Sequence, residues 1–86
     1  SAAASPYIQY NLAPLKARDF TALFTTEQMV KDSRLICDAG KATGVPMAIG
    51  DAMLAMFEET IAAGYGAENL TAAIKMLESK AGLGEV

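Results

Sequence analysis

A lysine and an aspartate stand side by side in the stretch FTTEQMVKD, as Lys31 and Asp32, with Phe24 at its head. On a helix advancing about 100° per residue, Lys31, Arg34, Asp38 and Lys41 gather on one side, and Met29, Ser33, Ile36, Cys37 and Gly40 form an apolar arc opposite. Asp32 does not join the charged side. It falls between Ile36 and Ala39 on the apolar flank, where an unpaired carboxylate is costly to bury. Two explanations stand. Near a helix N-terminus the backbone dipole favours an anion by about 0.3 to 1 kcal/mol, which asks nothing more of Asp32. Alternatively, the flank faces a cleft shared with another domain, where a carboxylate or an ammonium would touch a ligand.

Other chemistry is thinly represented. The 86 residues contain no histidine, which removes the commonest general base, the usual partner of a nucleophilic serine or cysteine and the usual zinc ligand. No metal site is expected. The single cysteine, Cys37, allows no internal disulfide, and an oxidising compartment is not implied. It sits on the apolar arc without a clustered cation to activate it and is expected to pack in the core. Glu58 and Glu59 diverge by about 100° as adjacent helix positions, so they are expected on a solvated face rather than as a working carboxylate pair. Met47, Met53 and Met56 are expected to fill the core, with an adaptable binding groove as the alternative. Tyr65, between two glycines, is expected to anchor a turn against helix ends; a contact across a dimer is the alternative.

Composition narrows the partners. Seven Lys and Arg stand against ten Asp and Glu, for a net charge of −3, and no basic run is present to neutralise a phosphate backbone, so no nucleic-acid partner is expected. The chain is 52% hydrophobic, yet no segment is long enough to cross a membrane. The opening SAAAS lacks the charged start and apolar centre of a signal peptide and is expected to be a native helix end or a cloning remnant. Cytoplasm or an organelle matrix is the expected location. A chain of this size buries roughly 60 to 65% of its unfolded surface, enough for one modest core. It is either a marginal independent domain or a piece of something larger.

The elements that must position these residues are helical. No stretch alternates with period two and β-branched residues are few, so the expected fold class is all-α, a compact domain of about four helices. Residues 1–24 are expected to form an N-terminal arm with a short helix between Pro6 and Pro14, followed by a solvated connection, LKARDF. Residues 25–86 are expected to form a three-helix core. Its first helix starts at Thr25 or Thr26 with a capping box completed by Gln28, runs to about Thr43 and closes on Gly44 and Pro46. The second runs from Met47 or Gly50 to about Ala63, with Ile49, Met53, Met56, Phe57 and Ile61 on its apolar face, and stops at GYG, Gly64 to Gly66. The third is capped by Asn69 and carries Leu70, Ala73, Ile74, Leu77 and Ala81 as one stripe, before Gly82 and Gly84 close the chain.

Phe24 followed by Lys31–Asp32, then GVPM from Gly44, MFEETIAAGYG from Met56 and NLTAAIKMLE from Asn69, in that order and spacing, resembles the C-terminal domain of the β-hydroxyacid dehydrogenases, a family that includes 3-hydroxyisobutyrate dehydrogenase and is related to 6-phosphogluconate dehydrogenase. The resemblance covers about Phe20 to Leu77. It implies a two-domain enzyme that transfers hydride between NAD or NADP and a small hydroxy acid or its oxo form. An N-terminal nucleotide-binding domain would hold the cofactor, while the helical domain closes over it and makes the contacts of a homo-oligomer. On this resemblance Lys31 is expected to reach the dinucleotide, and Asp32 and Phe24 to line the substrate end near the nicotinamide. The chain departs from the family in two respects. It has no strand followed by G-x-G-x-x-G, so the pyrophosphate site is missing. The family's catalytic lysine lies upstream of the KD region, and nothing in residues 1–24, Lys16 included, matches its motif. No catalytic residue is therefore expected in this chain, which alone should not turn over substrate. The alternative is a free-standing acidic helical interaction module, with Met and Phe residues forming a partner groove.

Overall fold

A computed structural model describes residues 6–83. The opening SAAAS and the closing Gly84 lie outside the described residues. Four α-helices follow one another: α1 Pro6–Lys16, α2 Thr26–Thr43, α3 Ala48–Thr60 and α4 Ile74–Lys80. A π-turn, Ile61–Tyr65, extends α3, and a 3-10 turn, Leu70–Ala73, leads into α4. Among the described residues no strand forms, and one antiparallel bridge joins Thr25 to Asn69. The fold is all-α, as the periodicity requires.

α2 is bounded by local signals. The Thr25 hydroxyl accepts from the Gln28 N–H at 3.1 Å and Gln28 Oε1 accepts from the Thr25 N–H at 2.8 Å, the two halves of the capping box. At the other end Gly44 takes φ 72°. There the Val45 N–H reaches the Gly40 carbonyl at 2.8 Å and the Gly44 N–H reaches that of Lys41 at 3.3 Å, a Schellman closure.

The first helix differs from expectation. α1 continues through Pro14 to Lys16, because a proline in the last turn forfeits its own hydrogen bond while later ones survive: the Ala17 N–H still bonds the Ala13 carbonyl at 3.0 Å.

The core gathers where the first half of α2, the second half of α3 and the approach to α4 meet. Val30, Phe57 and Ala73 are buried there, with Met29, Leu54, Met56, Ile61 and Leu70 packed around them. α2 therefore buries Thr26, Val30, Ser33, Cys37 and Gly40, an arc rotated slightly from the expected one: Val30 enters the core and Ile36 is 58% exposed. Ile49 and Met53, expected on the apolar face of α3, are 79% and 42% exposed. The Leu70–Ala73 turn and α4 cover the core end of the α2–α3 hairpin, and among the described residues no third layer covers its other end.

Two further expectations change. α3 is regular only to Thr60; the chain then widens into the π-turn, where Gly64 adopts φ 99°. Nor does Asn69 cap the helix that follows it. Its side chain turns to another segment.

Candidate functional site

Lys31 and Asp32 occupy the second turn of α2 and both are exposed. The ion pairs among the described residues are Arg18–Glu78, Arg34–Glu58, Lys75–Glu68 and Lys80–Glu59; neither Lys31 nor Asp32 takes part in one. Met29 and Ile36 lie three residues before and four after Asp32, on the same stripe of the helix. Together with Ser33, Cys37, Gly50 and Met53 they line an open groove of about 210 Å³. Asp32 thus lies exposed on the helical stripe that supplies two of the groove's residues, and it joins none of these ion pairs. Phe24, half-buried, lies just ahead of the cap at the same end of α2.

The start of α2 is knitted to the turn that precedes α4. The Thr26 N–H donates to the Glu68 carbonyl at 2.9 Å and the Glu27 N–H to that of Gly66 at 3.1 Å, while the Leu70 N–H donates to the Phe24 carbonyl at 2.9 Å. The fully buried Thr26 hydroxyl donates to the carbonyls of Glu68 and Asn69. Helix starts commonly bind anions through free N–H groups. Here carbonyls and the Thr25 hydroxyl already take them, so the start of α2 is not an open anion site.

Asn69 supplies the remaining connection. Its Oδ1 accepts from the N–H groups of both Leu23 and Phe24, each at 3.1 Å, and its Nδ2 donates to the Thr71 hydroxyl at 2.9 Å. The sequence signal, Asn two residues before Thr at a helix start, announces a cap, and the hydrogen bonds go to a segment some 45 residues away.

LKARDF, expected to be a solvated connection, is pinned instead. Arg18 grips Glu78 with two hydrogen bonds of 2.7 and 3.0 Å, which hold the Glu78 carboxyl below its ordinary range. Its guanidinium stands 5.6 Å from the Phe20 ring centre. Lys75 Nζ lies 4.5 Å from the Phe20 ring centre and 4.1 Å from that of Tyr65, and pairs with Glu68 at 2.8 Å. Tyr65 is the turn anchor its glycine neighbours suggest. Hydrogen bonds from the Thr21 side chain and backbone lower the Asp19 carboxyl in the same way.

The remaining candidates have structural roles. Cys37 is buried, which together with the nearby Asp51 carboxyl pushes its thiol up, away from the reactive thiolate. Glu58 and Glu59 point to different cations, Arg34 and Lys80.

The chain matches, over residues 1–77, the family described as the NAD-binding domain of NADP-dependent 3-hydroxyisobutyrate dehydrogenase. Its fold is similar to part of a solved 3-hydroxyisobutyrate dehydrogenase from Salmonella typhimurium, with a TM-score of 0.79 and 30% identity, covering 88% of this chain and 27% of that one. No curated protein matches. The chain thus spans about a quarter of that dehydrogenase. In helices, order of motifs and family match alike, it belongs to the 3-hydroxyisobutyrate dehydrogenase group of the β-hydroxyacid dehydrogenases.

Proposed function

We propose that this chain is the domain of an NAD(P)-dependent β-hydroxyacid dehydrogenase that closes over the cofactor and takes part in dimer contacts. The parent enzyme interconverts a small hydroxy acid and its oxo form. The observation that carries this is Asp32: an exposed carboxylate without an ion-pair partner among the described residues, on the same helical stripe as Met29 and Ile36 of an apolar groove, beside a lysine equally free of one. Such a flank suits an interdomain cleft better than open water. The nicotinamide, when bound, supplies or accepts the hydride. Lys31 provides a positive charge to the dinucleotide from the side of this domain. Asp32 and Phe24 line the substrate end, the carboxylate as a hydrogen-bond acceptor and the ring as an apolar wall. The proton that accompanies hydride transfer comes from a lysine outside this chain, so the isolated domain is inactive.

The alternative, a free-standing acidic interaction module, rests on exposed apolar side chains such as Leu35, Ile36 and Ile49. Contacts with a nucleotide-binding domain and a second subunit account for these equally.

The test uses the full-length protein with NADH and NADPH against small oxo acids. A hydrogen bond to a charged group contributes about 1.5 to 3 kcal/mol, so losing one costs roughly ten- to a hundred-fold. Lys31→Met is expected to raise the dinucleotide KM by that factor, and Asp32→Asn to lower kcat/KM for the oxo acid. Thermal stability should stay nearly unchanged, because both side chains are exposed. Parallel losses of stability and activity would remove the proposal.

A further inference from the structure

We infer that Asn69 is a positioning residue for the site: its side-chain amide sets the chain path through Leu23 and Phe24, just ahead of the separately capped helix bearing Lys31 and Asp32. The inference rests on the function proposed above and adds to it a residue that contacts neither cofactor nor substrate.

The geometry is specific. Leu23 and Phe24 precede the cap of α2, and their N–H groups both point to one acceptor, Asn69 Oδ1, at 3.1 Å each. Two donors converging on one atom settle which end of the amide faces them, and the other end is occupied by the Thr71 hydroxyl at 2.9 Å. Backbone bonds frame the same residue: the Asn69 N–H donates to the Phe20 carbonyl and the Leu70 N–H to that of Phe24, both at 2.9 Å. Phe20 to Phe24 is thereby laid against the Asn69 turn at both ends, with the amide holding the end nearer the site. Leu23 is 72% exposed, so burial of its side chain does not secure this path. Water could satisfy the two N–H groups without Asn69, and the domain would stay folded. What would be lost is the single conformation of Phe24.

Asn69→Asp retains an oxygen that accepts both N–H groups, and its other oxygen can accept a hydrogen bond from the Thr71 hydroxyl. Asn69→Leu keeps the approximate volume and removes the acceptor. In the full-length protein, Asn69→Leu is expected to lower kcat/KM for the oxo acid about ten- to a hundred-fold, the scale of a small misplacement of a positioned group. The dinucleotide KM should stay within about two-fold, because the Lys31 side chain is untouched. Asn69→Asp should restore most of the loss. Amide hydrogen exchange supplies a readout independent of activity: the Leu23 and Phe24 amides should exchange faster in Asn69→Leu and return towards wild-type rates in Asn69→Asp. An active parent enzyme whose Asn69→Leu variant keeps its substrate kinetics, or whose Asn69→Asp variant is as impaired as Asn69→Leu, overturns this inference and leaves the proposed function standing. A wild-type parent without hydride transfer overturns both.

Discussion

Arg18 ends α1 with a left-handed backbone, φ 54°, an uncommon conformation for a residue with a side chain, and it does so where its guanidinium meets Glu78. The ion pair gives the domain an acid-sensitive joint. With the folded Glu78 carboxyl held below its ordinary value of 4.5, the pair stabilises the fold above that value and loses its effect as pH falls through the depressed one. Glu78→Gln should therefore unfold more readily than wild type at about pH 6, and the gap should shrink as pH falls below the ordinary carboxylate range, where denaturant midpoints give a direct comparison. This joint was invisible in the sequence because Arg18 and Glu78 are 60 residues apart. The same distance problem hid the Asn69 clamp. Lys31 and Asp32, by contrast, stood out from local pattern alone, as charges whose helical projection splits across two faces.

At the scale of elements, the boundaries of α2 were legible because every signal that sets them lies within a few residues: Thr25 with Gln28 at one end, Gly44 with Pro46 at the other. Burial was less legible. Periodicity identifies an apolar face, but which part of it is covered depends on how far the neighbouring element reaches, and α4 with its leading turn does not reach Ile49 or Ile36. The α2–α3 corner shows what close approach demands. A Cβ on Gly40 would overlap Met47 Cγ and stand 3.1 Å from the Val45 carbonyl oxygen. Replacing glycine by alanine inside a helix ordinarily stabilises by about 1 kcal/mol. Gly40→Ala should instead destabilise by roughly 1 to 3 kcal/mol, as overpacking does, and adding Met47→Ala should recover part of the loss in chemical unfolding.

The whole molecule is more open than its length requires. Its radius of gyration is 14.3 Å, against about 12 Å for a compact domain of this size, and side chains as large as Leu35, Ile36 and Ile49 lie on its surface. That surplus fits a helical layer completed by another body, as proposed above; no helix among the described residues is long and apolar enough to cross a membrane. Part of what holds the layer to itself lies at Lys75, whose ammonium is clasped by Phe20, Tyr65 and Glu68. Phe20 comes from the segment ahead of α2, and Tyr65 and Glu68 from the turn before α4. The Lys75 side chain is 15% exposed, while Lys31 and Lys41 stand in water. An amine-acylating reagent should therefore tag Lys31 and Lys41 promptly and Lys75 slowly, a contrast that mass spectrometry of the digested protein would register. Because the clasp needs the Phe20 segment and that turn together, the labelling rate of this one lysine becomes a clock for the opening of the domain. It should quicken when the turn before α4 comes away from the start of α2, even while the individual helices persist.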